Sequence, residues 1–486
     1  MLNISIKKFY DTLSTITGYD EKDLLPESKL IEDLGLDSFM IMDLYGSLVP
    51  PELKDKNAAL LAKIVKEDVT VKQVIEIFGI QGEQKKEVKP EACNLNEFPE
   101  IVQFEEYFEK NKEKAPYFRV NDGLPDRVMK IEGEEKINFS TYNYLGLNGD
   151  KRISDFAKQA VEKFGTSVSG SRLLTGEISL HRQLEQTIAK FLGTEDAIVQ
   201  VGGHSTNVNT IGNIVGSSDL ILHDSLSHNS IIQGCILSHA TRKPFKHNDM
   251  QALEKELKKI RSKFRRTLIV VEGVYSMDGD ISNLPELIRI KKEYGCILMI
   301  DEAHSFGTIG DHGRGVTSYW NVNPCDVDIL MGTLSKSACS CGGYIAGSSR
   351  FIHYLKYNSP GFIFSCGMTP CNTAAALKAI QIFSEDDSKL KKLKENSVYF
   401  LQKMKEAGFD TGLSSDTPVI PLIIGDSEKA MVFAEELYKK GINAMPIVYP
   451  AVKESEARIR FFISANHLRK DLDYTIQVLK DLRDKI

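Results

Sequence analysis

An α/β protein with a mostly parallel sheet, a smaller α+β domain after it and a small helical module before it is the architecture the sequence predicts. Three observations carry that prediction: short β-rich runs alternating with amphipathic stretches from about Phe98 onward, a change of character near Ser384, and apolar residues at helical spacing in residues 1–80. In the middle section AIVQV (197–201), LILHD (220–224), TLIVVEGV (267–274), CILMIDEAH (296–304) and DILMGT (328–333) read as strands. Stretches such as 249–261 and Leu284–Tyr294 read as the helices between them. Apolar runs of this kind imply strands covered on both faces. In the last section VIPLII (419–424) and RIRFFI (458–463) supply strands of the smaller domain.

The N-terminal module reads as helical from Ile4, Phe9, Leu13 and Ile16. A loop rich in Asp, Glu, Pro and Gly follows, a second helix begins near Ser38, and a last one covers Val71–Phe78 with Thr70 as its cap. The segment GIQGEQKKEVKPEACNLNE is polar with little apolar periodicity and reads as a linker that lets the module move. The expected boundaries are 1–78 for the module, 79–97 for the linker, 98–383 for an N-terminal segment with the large domain, and 384–486 for the small C-terminal domain.

At 486 residues the chain exceeds one ordinary core, and its 42% hydrophobic and 26% charged content is that of a globular protein. The first residues lack the apolar core of a signal peptide, and no apolar run approaches the ~20 residues needed to span a bilayer. Eight scattered cysteines without a paired framework point to a reducing cytoplasm. The formal charge is −6, and most of the acidic excess falls in residues 1–80. That disfavours nucleic acid as a partner and suits a module steered towards basic surfaces, although a merely solvated acidic domain fits the charge equally well.

The segment Asp33-Leu34-Gly35-Leu36-Asp37-Ser38 ends a loop and opens a helix. It resembles the attachment site of acyl and peptidyl carrier proteins, which implies 4'-phosphopantetheine on Ser38. A helix start suits a phosphodiester, because its free N–H groups and dipole favour negative charge. The plain alternative is Ser38 as an ordinary N-cap. The carrier reading implies a phosphopantetheinyl transferase and an acyl-loading enzyme as partners.

Asp301-Glu302-Ala303-His304 closes an apolar run, placing the acid at a strand's carboxyl end, where ligands of parallel sheets gather. Lys336 follows the next apolar run, in Thr333-Leu334-Ser335-Lys336. A lysine and an acid so placed are what pyridoxal 5'-phosphate requires: a Schiff-base lysine, and a carboxylate that keeps the ring nitrogen protonated. Taken alone, Asp301 fits a metal ligand or helix cap equally well, and Lys336 a surface lysine. Cys339 and Cys341 form a C-x-C without further ligands, so no metal site is expected and both are read as small packing residues.

Eight segments in order, NFSTYNYLGL (138–147), GSRLLTG (170–176), LHRQLEQTIAKFLG (180–193), DSLSHNSIIQG (224–234), FKHND (245–249), EGVYSMDGD (272–280), DEAHSFGTIGDHGRG (301–315) and GTLSKS (332–337), resemble the α-oxoamine synthase family of fold-type I pyridoxal enzymes. The family includes serine palmitoyltransferase, aminooxononanoate synthase, 5-aminolevulinate synthase and aminoketobutyrate ligase. The resemblance implies the following roles. Lys336 holds the cofactor and then serves as general base; Asp301 pairs with the ring nitrogen; His228 stacks on the ring, and also orients the substrate carboxylate and polarises the thioester. His304 contacts the phenolic oxygen and Ser276 the ring region. Thr333 and the backbone of Gly203 and His204 hold the phosphate, with Asn207 completing that turn. Arg460 grips the substrate carboxylate, whereas Arg458 is structural or at the surface. Ser365, in Phe364-Ser365-Cys366, reaches the phosphate of a neighbouring subunit, and Asn143 lines the entrance. The active site then lies at a homodimer interface.

The implied reaction is condensation of glycine, alanine or serine with an acyl thioester, presented by the carrier, with loss of carbon dioxide to give an α-amino ketone. MGTLSKS, GDHGRGV and TPVIPLIIGD point to the serine palmitoyltransferase and polyketide-associated branches rather than the biotin branch. Two other readings stand beside this one: an acyl-coenzyme A-using aminooxononanoate synthase or glycine acyltransferase with a vestigial carrier, and a non-catalytic carrier scaffold.

Overall fold

The computed structural model describes residues 4–19, 21–36, 38–49, 64, 68–80, 94–111, 116–449 and 451–485. In chain order the strands are β1 (Val128–Ile131), β2 (Glu134–Asn138), β3 (Asp196–Gln200), β4 (Leu220–Asp224), β5 (Thr241–Phe245), β6 (Thr267–Glu272) and β7 (Ile297–Asp301). They continue with β8 (Ile329–Thr333), β9 (Gly343–Gly347), β10 (Val419–Ile423), β11 (Ile442–Asn443), β12 (Met445–Ile447) and β13 (Arg458–Phe462).

Seven of these form the central sheet, in the order β3-β9-β8-β7-β6-β4-β5. The run from β8 to β5 is parallel, and β9 is antiparallel to both its neighbours, so the sheet is mixed. All residues of β6 and β8 are buried, as strands covered on both faces require. The strand of sequence TRKPF was not legible as a strand, because its charges and Pro244 mask the pattern. It lies at the sheet edge, where a proline costs no ladder bond. GYIAG, the source of β9, is short and glycine-bounded, which gives periodicity little to register.

The C-terminal segment forms an antiparallel sheet, β10-β13-β12. A third sheet joins the β1–β2 hairpin to β11, so a hairpin read from sequence with the large domain is paired with the C-terminal part of the chain.

In the N-terminal module, helices cover Ile6–Thr17, Ser38–Leu48 and Val71–Phe78. Ser5 caps the first through the Lys8 N–H, and Thr70 caps the last in a capping box with Gln73 (3.2 and 2.8 Å). The module's core does not end at its own boundary: Ile232 of the large domain is part of it, with Ile236 and Tyr449 packed against it. Ser38 begins its helix as expected, but its side chain and Asp37 fall outside the described residues, as do 51–59 and linker positions 81–93. Among the described residues no helix is long and apolar enough to cross a membrane, and no His, Cys, Asp and Glu cluster could hold a metal ion.

Candidate active site

The parallel strands deliver acids to one edge. Asp224 ends β4, Glu272 ends β6 and Asp301 ends β7, with Glu272 and Asp301 register partners. A cavity of about 460 Å³ opens there, lined by Gly203, His204, His228, Asp301, Thr333 and Lys336 among others. A larger hollow of about 570 Å³ beside the opposite strand ends, near Arg266 and Asp328, offers neither lysine nor histidine and no comparable chemistry.

Lys336 follows β8 in a half-buried turn that lines the cavity. Burial pushes its pKa down to about 8, against the pull of Asp301 and Glu272. An ordinary lysine titrates near 10.4, and only the neutral amine attacks an aldehyde. Covalent uptake of pyridoxal phosphate is therefore expected to rise with pH and level off above about 8. Stopped-flow absorbance across pH 6–10 checks this, and a plateau delayed to pH 10 contradicts it.

Asp301 is held in place at the cavity: its Oδ2 accepts from Asn207 Nδ2 (2.7 Å) and its Oδ1 from the Ala303 N–H (2.9 Å). Burial, and then Asp301 itself, push the Glu272 carboxyl well above the carboxylate range. Glu272 Oε1 accepts the His228 backbone N–H (2.7 Å) and so fixes the turn that carries the histidine. His228 caps the helix Asn229–Ser238, its Nδ1 accepting from the Ser230 N–H (3.2 Å). Burial keeps its imidazole below the ordinary pKa.

His304 is fully enclosed and uncharged, mainly through burial, with Lys336 and Arg460 next. Its Nδ1 lies 2.8 Å from the hydroxyl of Tyr144, whose pKa burial raises well above 10. With Tyr144 donating, the proton of His304 is left on Nε2 as a donor for a ligand oxygen.

The helix Gly203–Ile214 starts at the cavity without a side-chain cap. A Cβ at Gly203 would stand 2.8 Å from Thr333 Oγ1, so the close approach of helix start and β8 requires glycine. The Thr333 hydroxyl lies 3.1 Å from both Ser335 Oγ and the Gly342 carbonyl, and Ser335 also lines the cavity.

Arg460 lies beside this cavity on β13 and acts electrostatically on Lys336, His304 and His228. Its Nη1 donates to the Ser276 carbonyl (2.9 Å), its guanidinium stands 4.5 Å from the Phe462 ring centre, and its buried Nε has no partner. Arg458, by contrast, is committed to Asp278 (2.8 Å).

Two expected positions fall elsewhere. Ser276 does not line the cavity; what it supplies is the carbonyl that anchors Arg460. Asn143 is buried and ties its own turn together, donating to the Pro125 carbonyl (3.1 Å) and accepting from the Asn148 N–H (3.1 Å), so it is spent before it can face an entrance. Ser365 donates to the Gly361 carbonyl (2.6 Å) beside an 87% exposed Phe364, away from this chain's cavity. Cys339 packs under the lysine loop with its thiol pushed up by burial to about 12. Glu272, Ser335 and Tyr144 were not singled out from sequence. Glu272 carried the same signal as Asp301, an acid closing a buried strand.

The set fits a pyridoxal phosphate: a glycine cradle at a helix start, an anchored carboxylate, and a lysine with a lowered pKa across one cavity. Residues 134–479 match the model of the family described as aminotransferase class I and II. This chain belongs to that family. Among curated relatives, an 8-amino-7-oxononanoate synthase of Thermosipho melanesiensis is 41% identical over 377 residues, 78% of this chain and 96% of its own. A serine palmitoyltransferase of Bacteroides ovatus is 37% identical, covering 75% of this chain and 92% of its own. A solved structure of serine palmitoyltransferase with pyridoxal phosphate covers 81% of this family member and 99% of its own chain, with a TM-score of 0.76 at 28% identity. Within the family these are α-oxoamine synthases.

Proposed function

We infer that this chain is a pyridoxal phosphate-dependent α-oxoamine synthase that joins glycine, alanine or serine to an acyl thioester with release of carbon dioxide. Arg460 carries the reading: a half-buried arginine whose buried Nε has no partner among the described residues, beside the cavity that Lys336 and Asp301 share. A planar fork of this kind matches a carboxylate bidentately. The relatives' names, 8-amino-7-oxononanoate synthase and serine palmitoyltransferase, support the same chemistry.

Bound pyridoxal phosphate supplies an electron sink for the charge left at the amino acid's α-carbon. The chain's own groups do the rest. The N–H groups at the start of the helix Gly203–Ile214, with the hydroxyls of Thr333 and Ser335, would hold the phosphate. Asp301 would pair with the ring nitrogen and favour its protonated form, and the His228 ring, which lines the cavity, would stack on the cofactor. Lys336 Nζ takes the α-proton, which its lowered pKa allows near neutral pH. Arg460 orients the carboxylate, and His304 Nε2–H donates to an oxygen in the site.

Purified protein supplied with the cofactor, one amino acid and an acyl thioester is expected to release carbon dioxide and an amino ketone, detectable by mass spectrometry. Failure with all three amino acids and both carrier-bound and coenzyme A thioesters overturns the reading and favours a scaffold.

The N-terminal module is read as an acyl carrier, with Ser38 bearing 4'-phosphopantetheine and the acyl group held at high effective concentration. A phosphopantetheinyl transferase with coenzyme A is expected to add one arm to the wild type and none to Ser38→Ala, measured by intact mass. No addition to the wild type would leave acyl-coenzyme A as the donor. The exposed Phe364 and Leu174 (87% and 80%) near Ser365 support a second copy completing the site as a homodimer.

A further inference from the structure

The N-terminal module is fastened to the large domain at a buried arginine. Arg242, on the edge strand β5, is 1% exposed and has no carboxylate partner among the described residues. It spends its donors on the module: Nη1 on the Gly35 carbonyl (3.3 Å), and Nη2 on the carbonyls of Thr17 and Leu34 (both 3.4 Å). Gly35 adopts φ +64°, and a Cβ there would sit 2.9 Å from Pro244 Cγ. The loop before Ser38 thus meets β5 too closely for a side chain. Lys246 of the large domain and Lys453 of the C-terminal domain act on Glu32, whose carboxyl is lowered first by Lys29, so the acidic module meets basic groups.

The same contact leads to the active site by two routes. Arg242 Nη1 also donates to His223 Nε2 (3.2 Å). Burial, and then Arg242, keep His223 neutral, with its pKa near 3, so its Nδ1–H donates to the Asp224 carbonyl (2.8 Å). That carbonyl accepts the N–H of Ser227, the residue before His228 (3.1 Å). Independently, Ile232 and Ile236, packed into the module's core, lie on the helix that His228 caps.

We propose that the seated N-terminal module holds His228 in place, with Arg242 as the positioning residue that couples the carrier loop to the catalytic turn. The module then does more than carry: the site is fully ordered only when residues 34–35 are docked on β5. The proposal rests on the catalytic reading for its kinetic readout alone, because hydrogen exchange reports the coupling without turnover.

The test uses the full chain in a Ser38→Ala background with a free acyl-coenzyme A donor, so that carrier delivery plays no part. Gly35→Ala loosens the latch from the module side and Arg242→Lys from the large domain, where the fork is lost but the charge kept. Slow exchange in the helix Ile6–Thr17 confirms that the module remains folded. Faster exchange at 224–232 in both variants, with kcat lowered about 2- to 30-fold and the KM for the amino acid little changed, is the expected result. Exchange at 232–245 that rises while 224–228 and kcat stay as in the parent would overturn the coupling. Exchange at 232–245 as fast in the parent as in the variants would mean that the module is not seated. If no donor is turned over yet 224–232 responds, the coupling stands and the assigned reaction fails.

Discussion

Lys336→Ala is expected to lower condensation by at least about 10⁴-fold while leaving the fold intact. The side chain has two tasks, covalent capture of the cofactor and movement of the α-proton, and both need a neutral amine. The environment supplies that amine by burial, which outweighs the attraction of Asp301 and Glu272 and leaves the pKa at about 8. Removing the amine removes both tasks, and among the described residues no other lysine lines the cavity to replace it. The measurement pairs turnover with the visible absorbance of lysine-bound cofactor. Retention of either at wild-type level would place the chemistry elsewhere.

The second large effect is expected for Arg460→Ala. Arg460 is half-buried, and its desolvation works against its charge, while among the described residues no carboxylate of the chain forms an ion pair with it. The missing partner is assigned to the substrate carboxylate. Truncating one member of such a buried pair costs about 2–5 kcal/mol, read as a fall of about 30-fold or more in kcat/KM for the amino acid. Arg460→Lys keeps the charge but not the fork and should recover part of the loss. Steady-state kinetics with the amino acid varied at saturating thioester decide it. An unchanged kcat/KM in Arg460→Ala would remove the guanidinium from substrate binding.

The readable parts of the site were those whose signal is local. An acid closing the buried run ILMID and a lysine following ILMGT announce themselves, because a parallel strand fixes both the burial of its body and the edge on which its last residue emerges. The same logic covers Glu272, which closes the apolar run TLIVV. Ser276 and Asn143 show the converse. Each sits in a motif of site residues, yet Ser276 contributes a carbonyl to Arg460, and Asn143 satisfies neighbouring backbone. Motif membership locates a loop near a site, whereas a side chain's direction depends on which buried polar groups need it.

The sequence by itself determined the strand–helix alternation, the strand ends that carry Asp301 and Lys336, and a helix beginning at Ser38, since each follows from periodicity or capping within a few residues. Tertiary structure alone decided the antiparallel insertion of β9, the pairing of the β1–β2 hairpin with β11, and the burial of Arg242 beneath the N-terminal module. Those three join residues from 10 to more than 300 positions apart. Hydrogen-bond pairing and desolvation over such separations depend on what the folded chain brings alongside, and no local pattern encodes that.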